Sequence, residues 1–267
     1  GLTEVLQRNL SRGFKNLKIF EAGRVFIPGE RQGSASIPPL GERPSDEVLA
    51  DLNAGIPEQP VYFSGLFAGA EHEPMPGTQA RAYDWRDALD AARLIADVLG
   101  VEIVIAQGTH QAFHPGRTAQ LRTQDGQTIG YAGELHPKLL QTENLPERTC
   151  AFEVNFTELF ASRLGVPQAS PIYGYPAATQ DVALVVDENI PASEVAQALR
   201  DGAGELLEDL RVFDDYRGQG VERGKKSLAF AMRFRAPDRT LTAEEASASR
   251  EAAVAVAAER FGAVARV

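Results

Sequence analysis

The chain has 267 residues, is 43% hydrophobic and carries a formal net charge of −10. That length supports two modest cores of roughly 100 to 165 residues each, while no apolar run reaches the roughly 20 residues of a membrane span and the start is not a signal peptide. The single cysteine, Cys150, excludes an internal disulfide and points to a reducing cytoplasm.

In chain order, Leu17–Phe26 and Val61–Gly69 read as apolar strands. Between them, Pro28–Pro60 is rich in Pro, Gly, Ser and acid, with a weak helix signal at Ser45–Leu52, and reads as a long surface excursion. Glu71–Ala80 is a shorter loop of the same kind. Asp84 is placed to cap a helix with Trp85, Leu89, Ala92, Ala96 and Leu99 on one side, stopped by Gly100. Val101–Ala106 is β-branched and strand-like. Arg117–Thr123 and Gln127–Gly133 flank Asp125-Gly126, a two-residue hairpin signal because both positions tolerate positive φ. Thr149–Phe156 is a further strand. Several antiparallel strands with few helices predict an α+β domain. Pro, Gly and Ser cluster at Gly165–Tyr175, which sets a domain boundary there.

Beyond the boundary, Asp181–Asp187 is a strand with Val182, Leu184 and Val186 on one face. Pro191 suits the first turn of a helix running to about Gly202. Glu205–Arg217 holds a second strand, and the turn Gly218–Gly224 leads into a third. Thr242 and Glu245 have capping-box spacing and open a helix to Gly262, in which Ala246, Ala253 and Ala257 make a thin face. Ala263–Val267 is a short final strand. The order β-α-β-β-α-β is that of a ferredoxin-like sandwich, one antiparallel sheet with both helices on one face.

The third strand carries the most informative pattern. Leu228, Phe230, Met232 and Phe234 point one way, and Lys225, Ser227, Ala229, Ala231, Arg233 and Arg235 point the other. From Arg217 to Arg239 there are seven basic residues and two acids, Glu222 and Asp238, a local net of +5 in an acidic chain. Two readings of this face stand. One is a solvated surface that uses charge for solubility. The other is a polyanion platform, with bases lying on the small central residues and cations at the rim neutralising phosphates.

Other motifs have plain structural readings. His72, His110, His114 and His136 do not fall in metal-ligand motifs and Cys150 is distant, so no metal site is expected. His114-Pro115-Gly116-Arg117 reads as a turn before a strand rather than a phosphate clamp. Glu134-Leu135-His136-Pro137 reads as a strand end and helix start rather than an acid–base pair. No Gly-rich phosphate loop and no GxSxG elbow occur. Tyr173 and Tyr175 are placed either to stack on a base or to pack the linker.

YPAATQDVALVVDE, FDDYRGQG and GKKSLAFAMRFRAPDRTLTAEE resemble, in order and spacing, the ferredoxin-fold anticodon-binding domain of the bacterial phenylalanyl-tRNA synthetase β subunit family. NLSRGFKNLKIFEAGRVF, YDWRDALDAARLIADVLG, FHPGRTAQL and IGYAGELHPKLL are similar to that subunit's catalytic-like domain. Two positions depart from the pattern: Gln180 stands where a basic residue is common, and Ala246 where a larger apolar residue is usual. The resemblance implies the C-terminal part of such a subunit. It implies a class II synthetase-like, non-catalytic antiparallel sheet domain over residues 1–165, a linker at 166–174 and an anticodon-binding domain at 175–267. Because the chain starts at Gly1 rather than Met, it reads as a piece of a longer protein, with the family's tRNA-binding module, editing domain and magnesium-associated carboxylates upstream and proofreading absent from this piece.

The resemblance further implies a scaffold for a catalytic α subunit in an (αβ)2 heterotetramer, tRNA(Phe) as the nucleic-acid partner, and no DNA or membrane partner. ATP and Mg2+ serve the parent reaction, with no cofactor held by this chain. Candidate tRNA-binding residues are Arg217, Lys225, Lys226, Arg233, Arg235 and Arg239 for phosphates or base edges, with Phe213 and Tyr216 as stackers. Phe213 and Tyr216 differ in parity, so a regular strand cannot point both outward. Asp214 and Asp215 are alternative partners for the arginines, which would make part of the cluster a structural ion network. Two other functions stay open: a small-molecule-binding regulatory module on the ferredoxin-like unit, and a stand-alone adenylate-forming enzyme on the first domain, against which the lack of ATP-binding arginines and motif carboxylates argues.

Overall fold

The computed structural model describes residues 1–29, 37–38, 40–163, 165, 169 and 173–266. The middle of the Pro28–Pro60 excursion and much of the expected linker at 166–174 lie outside the described residues. The chain divides into two compact units, Gly1–Gln168 and Ala169–Val267. Both are α+β with antiparallel sheets.

In the first unit β1 (Leu17–Arg24), β2 (Val61–Ala68), β3 (Val104–Gln107), β4 (Phe113–Arg122), β5 (Thr128–Leu135) and β6 (Cys150–Asn155) form one sheet. Its order is β1-β2-β6-β5-β4-β3, with every pairing antiparallel. One face is covered by α3 (Trp85–Leu99). The Asp84 carboxylate caps it by accepting from the Arg86 amide, and Gly100, at φ +68°, ends it. Ala88, Leu89, Ala92 and Ala96 of α3 are buried against Phe67, Leu121, Ile129, Phe152 and Val154. The opposite face packs Leu6 of α1 (Leu2–Ser11) and Leu140 of α4 (Pro137–Thr142) against Leu66, Ala68, Phe113, Leu135 and Ala151.

Several boundaries differ from the sequence reading. α1 was not among the expected elements. Trp85 is 40% exposed rather than part of the buried stripe, and the Arg86 guanidinium lies 5.8 Å from its ring centroid. The strand expected at Val101 begins at Val104. Strand β4 begins at Phe113, so His114–Arg117 lies inside it, at a register shift between Phe113 and Thr118. There the Gly116 amide donates to His114 Nδ1, and Arg117 is committed to the buried Glu134 carboxylate at 2.5 Å. The hairpin turn spans three residues rather than two. The Gly126 amide donates to the Thr123 carbonyl, the Thr123 amide donates to the Gln127 carbonyl, and only Gly126 takes positive φ. His136 caps α4 through Nδ1, which accepts from the Lys138 amide.

The Ser45–Leu52 signal is realised as α2 (Asp46–Ala54), capped by Ser45 and without a buried residue. A short α5 (Phe156–Ala161) follows β6.

The second unit comprises β7 (Ala178–Asp187), α6 (Ala192–Ala203), β8 (Leu207–Tyr216), β9 (Lys225–Phe234), α7 (Ala243–Phe261) and β10 (Val264–Ala265). The sheet order is β10-β7-β9-β8, the ferredoxin-like arrangement. Pro191 is the N-cap of α6 rather than its first helical residue. Thr242 and Glu245 form the reciprocal capping box: the Glu245 amide donates to Thr242 Oγ1 at 3.2 Å and the Thr242 amide to Glu245 Oε2 at 3.0 Å. Leu184, Val186, Leu228, Phe230, Met232 and Phe234 build the core with Val195, Ala198 and Leu199 of α6 and Ala246, Ala253 and Ala257 of α7. Both helices therefore occupy one side of the sheet, leaving the other uncovered by any helix or strand among the described residues of this unit. Among the described residues no helix is long and apolar enough to cross a membrane.

Candidate nucleic-acid interface

The open face follows from strand register. Lys225, Ser227, Ala229, Ala231 and Arg233 lie on the side opposite Leu228 and Phe230, as the alternation requires. From β7 the register adds Thr179, Asp181, Ala183 and Val185, and from β8 it adds Asp209, Arg211, Asp214 and Tyr216. The middle is small and flat, and the rim is charged.

Two bulges in β8 shape this face. Register shifts fall between Leu207 and Asp209 and between Val212 and Asp214, which makes Glu208 and Phe213 the inserted residues. An inserted residue reverses the alternation beyond it. The bulge at Phe213 thereby removes the parity conflict with Tyr216, and both rings are exposed, 52% and 38%. The Tyr216 ring lies over the turn, its hydroxyl donating to the Gln219 carbonyl, with the Arg266 guanidinium 5.6 Å from its centroid. Gly218 makes room for it: a Cβ there would stand 2.6 Å from the Tyr216 hydroxyl.

The cations are less free than the sequence count suggests. Arg233 Nε lies 2.6 Å from Glu208 Oε2, and Arg235 Nε lies 2.9 Å from Glu208 Oε1. Arg235 also donates to the Tyr175 carbonyl, and its side chain is only 12% exposed. Arg217 pairs with Asp215 and Glu188, Lys225 with Glu222, and Arg239 with Asp238 and Glu245. The Glu245 carboxyl is held below the usual carboxylate range, first by the Thr242 amide and then by Arg239. The anticipated ion network thus includes Asp215, whereas Asp214 makes no ion pair among the described residues. Exposed pairs of this kind contribute roughly 0–1 kcal/mol each, so a phosphate can displace the acid.

Lys226 is corrected by the structure. It shares the side of Leu228 and is 5% exposed, so it does not lie on the open face. The charge count also missed acids from neighbouring strands. Asp181, Asp209 and Asp214 stand opposite Ala231, Arg233 and Ala229. Conversely, it missed two cations. Arg211, opposite Ala231, is exposed and makes no ion pair among the described residues. Arg266 backs Tyr216. Neither lies in the Arg217–Arg239 stretch, so a charge count over that stretch leaves both out. Tyr173 and Tyr175 are both partly exposed, and the Tyr175 main chain is tied down by Arg235. Gln180 faces α7, where it donates to Ser247 at 3.0 Å, so a basic residue there would lie under the helix rather than on the open face.

An α+β protein ending in a ferredoxin-like sandwich, with two exposed rings and a cationic rim on its free sheet face, is the class that fold and surface define. The family model described as "Phenylalanyl tRNA synthetase beta chain CLM domain" matches residues 1–156, and that of the "Ferredoxin-fold anticodon binding domain" matches residues 174–266. The chain belongs to the phenylalanyl-tRNA synthetase β-chain family. It is 49% identical to the phenylalanine–tRNA ligase beta subunit of Streptomyces avermitilis over 269 residues, which cover 100% of this chain and 32% of that protein. It is 48% identical to the subunit of Leifsonia xyli subsp. xyli and 44% identical to that of Thermobifida fusca, with the same coverages. The chain spans about a third of the length of these relatives.

Proposed function

We propose that the second unit holds the anticodon region of tRNA(Phe) on its open sheet face. Arg211 and Arg233 meet phosphates or base edges, with Arg217, Lys225 and Arg239 at the margins and Phe213 and Tyr216 stacking on bases. The observation that carries this reading is the bulge at Phe213, which allows two exposed rings beside a flat floor of the half-buried Ala229 and Ala231. Stacking on an aromatic contributes about 1–3 kcal/mol per base, and the cations add a salt-dependent term. Arg235 serves this face indirectly, by holding Glu208 and the Tyr175 main chain.

The first unit is proposed as the scaffold for a catalytic α subunit, within an (αβ)2 assembly that joins phenylalanine to tRNA using ATP and Mg2+. In that reading the chain supplies positioning. Fixing a tRNA far from its reacting end lowers the entropic part of the barrier at a distant site.

The test is a titration of the chain with tRNA(Phe) at two salt concentrations, with ATP–pyrophosphate exchange assayed separately. Binding that weakens with salt, without exchange activity, is expected. Exchange by the chain alone, or tRNA binding indifferent to salt, would overturn the reading.

A further inference from the structure

The sheet of the first unit has a second feature, on the face away from α3. Glu21, Ser64, Glu153 and Tyr131 form one cross-strand row over β1, β2, β6 and β5. Their side chains share a face, because directly paired residues point the same way. All four line a cavity of about 320 Å3, together with His110, Phe113 and the apolar Leu66, Leu135 and Leu139. The volume lies at the small end of the range for ligand sites.

The two ends of this cavity differ in chemistry. At one end, Glu21 and Glu153 flank Ser64, whose hydroxyl makes only a long 3.4 Å bond to Glu153 Oε2. Neither carboxylate makes an ion pair among the described residues. At the other end, His110 and Tyr131 lie with ring centroids 4.7 Å apart, and Phe113 closes the group 5.6 Å from His110. Uncompensated carboxylates beside aromatic faces attract a cation twice, by charge and by the ring quadrupole. The apolar wall then favours a ligand whose cation carries a hydrophobic body.

We propose that this cavity binds a small organic cation, a primary ammonium on an aromatic body, with the ammonium between Glu21 and Glu153 and the ring against His110, Phe113 and Tyr131. The site lies in the first unit and is independent of the tRNA reading of the second.

The probe is benzylammonium, titrated into the whole chain and followed by amide chemical shifts, with benzyl alcohol as a neutral ligand of the same size. Saturable binding with shifts at Ser64, Tyr131 and Glu153 is expected, at least about tenfold tighter than benzyl alcohol. The double variant Glu21→Gln/Glu153→Gln keeps both side chains' shape and should lose about tenfold for benzylammonium while leaving benzyl alcohol unchanged. The Glu21→Gln single variant, at an exposed edge-strand position, gives the same direction should the double variant not fold. A blocked lysine peptide, which carries the ammonium on a flexible stem without a ring, should bind at least about tenfold more weakly. Equal binding of the amine and the alcohol, an unaffected double variant, equal binding of the lysine peptide, or the absence of saturation would each overturn the assignment.

Discussion

Glu208 reaches Arg233 from an adjacent strand, its Oε2 2.6 Å from the arginine Nε, because a bulge inserts Glu208 into β8 at this point. The acid thereby occupies a cation that the proposed RNA site needs. Replacing Glu208 with Gln should tighten tRNA binding by about two- to fivefold at low salt, since it removes a competing anion and one like charge to phosphate. The salt slope of log affinity should steepen by about 1. Titrations of the variant and the parent chain at two ionic strengths give both quantities. Weaker binding would instead mean that Glu208 orients Arg233 for its contact.

Arg233 and Arg235 share that carboxylate yet should separate on mutation. Arg233 is half-exposed, whereas Arg235 is largely covered and also donates to the Tyr175 carbonyl. Arg233→Ala should weaken tRNA binding by about 1–2 kcal/mol and leave stability unchanged. Arg235→Ala should cost about 1 kcal/mol of stability in the second unit by leaving the Tyr175 carbonyl without its donor, while Glu208 keeps Arg233. Urea midpoints and tRNA titrations on the two variants distinguish the roles.

What the sequence made legible was local or periodic. The capping box of Thr242 and Glu245 is a three-residue spacing, and the alternation from Leu228 to Phe234 names its own buried face. That alternation also placed Lys226 on the buried side, so charge alone was a poor reason to assign it to the site. The two bulges were not legible, because a register shift depends on what the partner strand offers. Their consequences, Phe213 beside Tyr216 and Glu208 beside Arg233, were therefore hidden. So were Arg211 and the acids Asp181 and Asp209, which reach the face only through strand pairing over long sequence separations.

Cys150 is fully buried, its thiol donating to the Arg148 carbonyl, and its pKa is pushed up to about 12, chiefly by burial and next by the Glu134 charge. The unfolded thiol titrates near 9.0. Between these values the unfolded chain has lost a proton that the folded chain retains. The stability linked to Cys150 is therefore complete below about pH 9 and falls as pH rises toward 12. Thiol labelling at about pH 8 should be slow in the folded chain and fast in urea, because the thiolate is the reactive form. The stability difference between the parent chain and Cys150→Ala should shrink as pH rises above 9, measured by urea unfolding at each pH.

Gly202 sits where α6 crosses α7, and a Cβ built on it would stand 2.7 Å from the Ala252 carbonyl oxygen and 2.8 Å from Ala253 Cα. These are backbone atoms, which cannot rotate away as the end of a side chain can. Glycine inside a helix ordinarily costs about 1 kcal/mol relative to alanine, so propensity alone would make Gly202→Ala stabilising. The contact decides otherwise. Seating the methyl requires the two helices to part, which loosens the packing of Ala253 and Ala257 against the sheet, an overpacking cost of about 1–3 kcal/mol. The variant should therefore lower the urea midpoint of the second unit, and because the open face lies on the other side of the sheet, tRNA affinity of the folded protein should be unchanged. A stabilised variant would show that α6 and α7 can separate without cost, and that the small residues at 246, 253 and 257 are not there to bring the helices close.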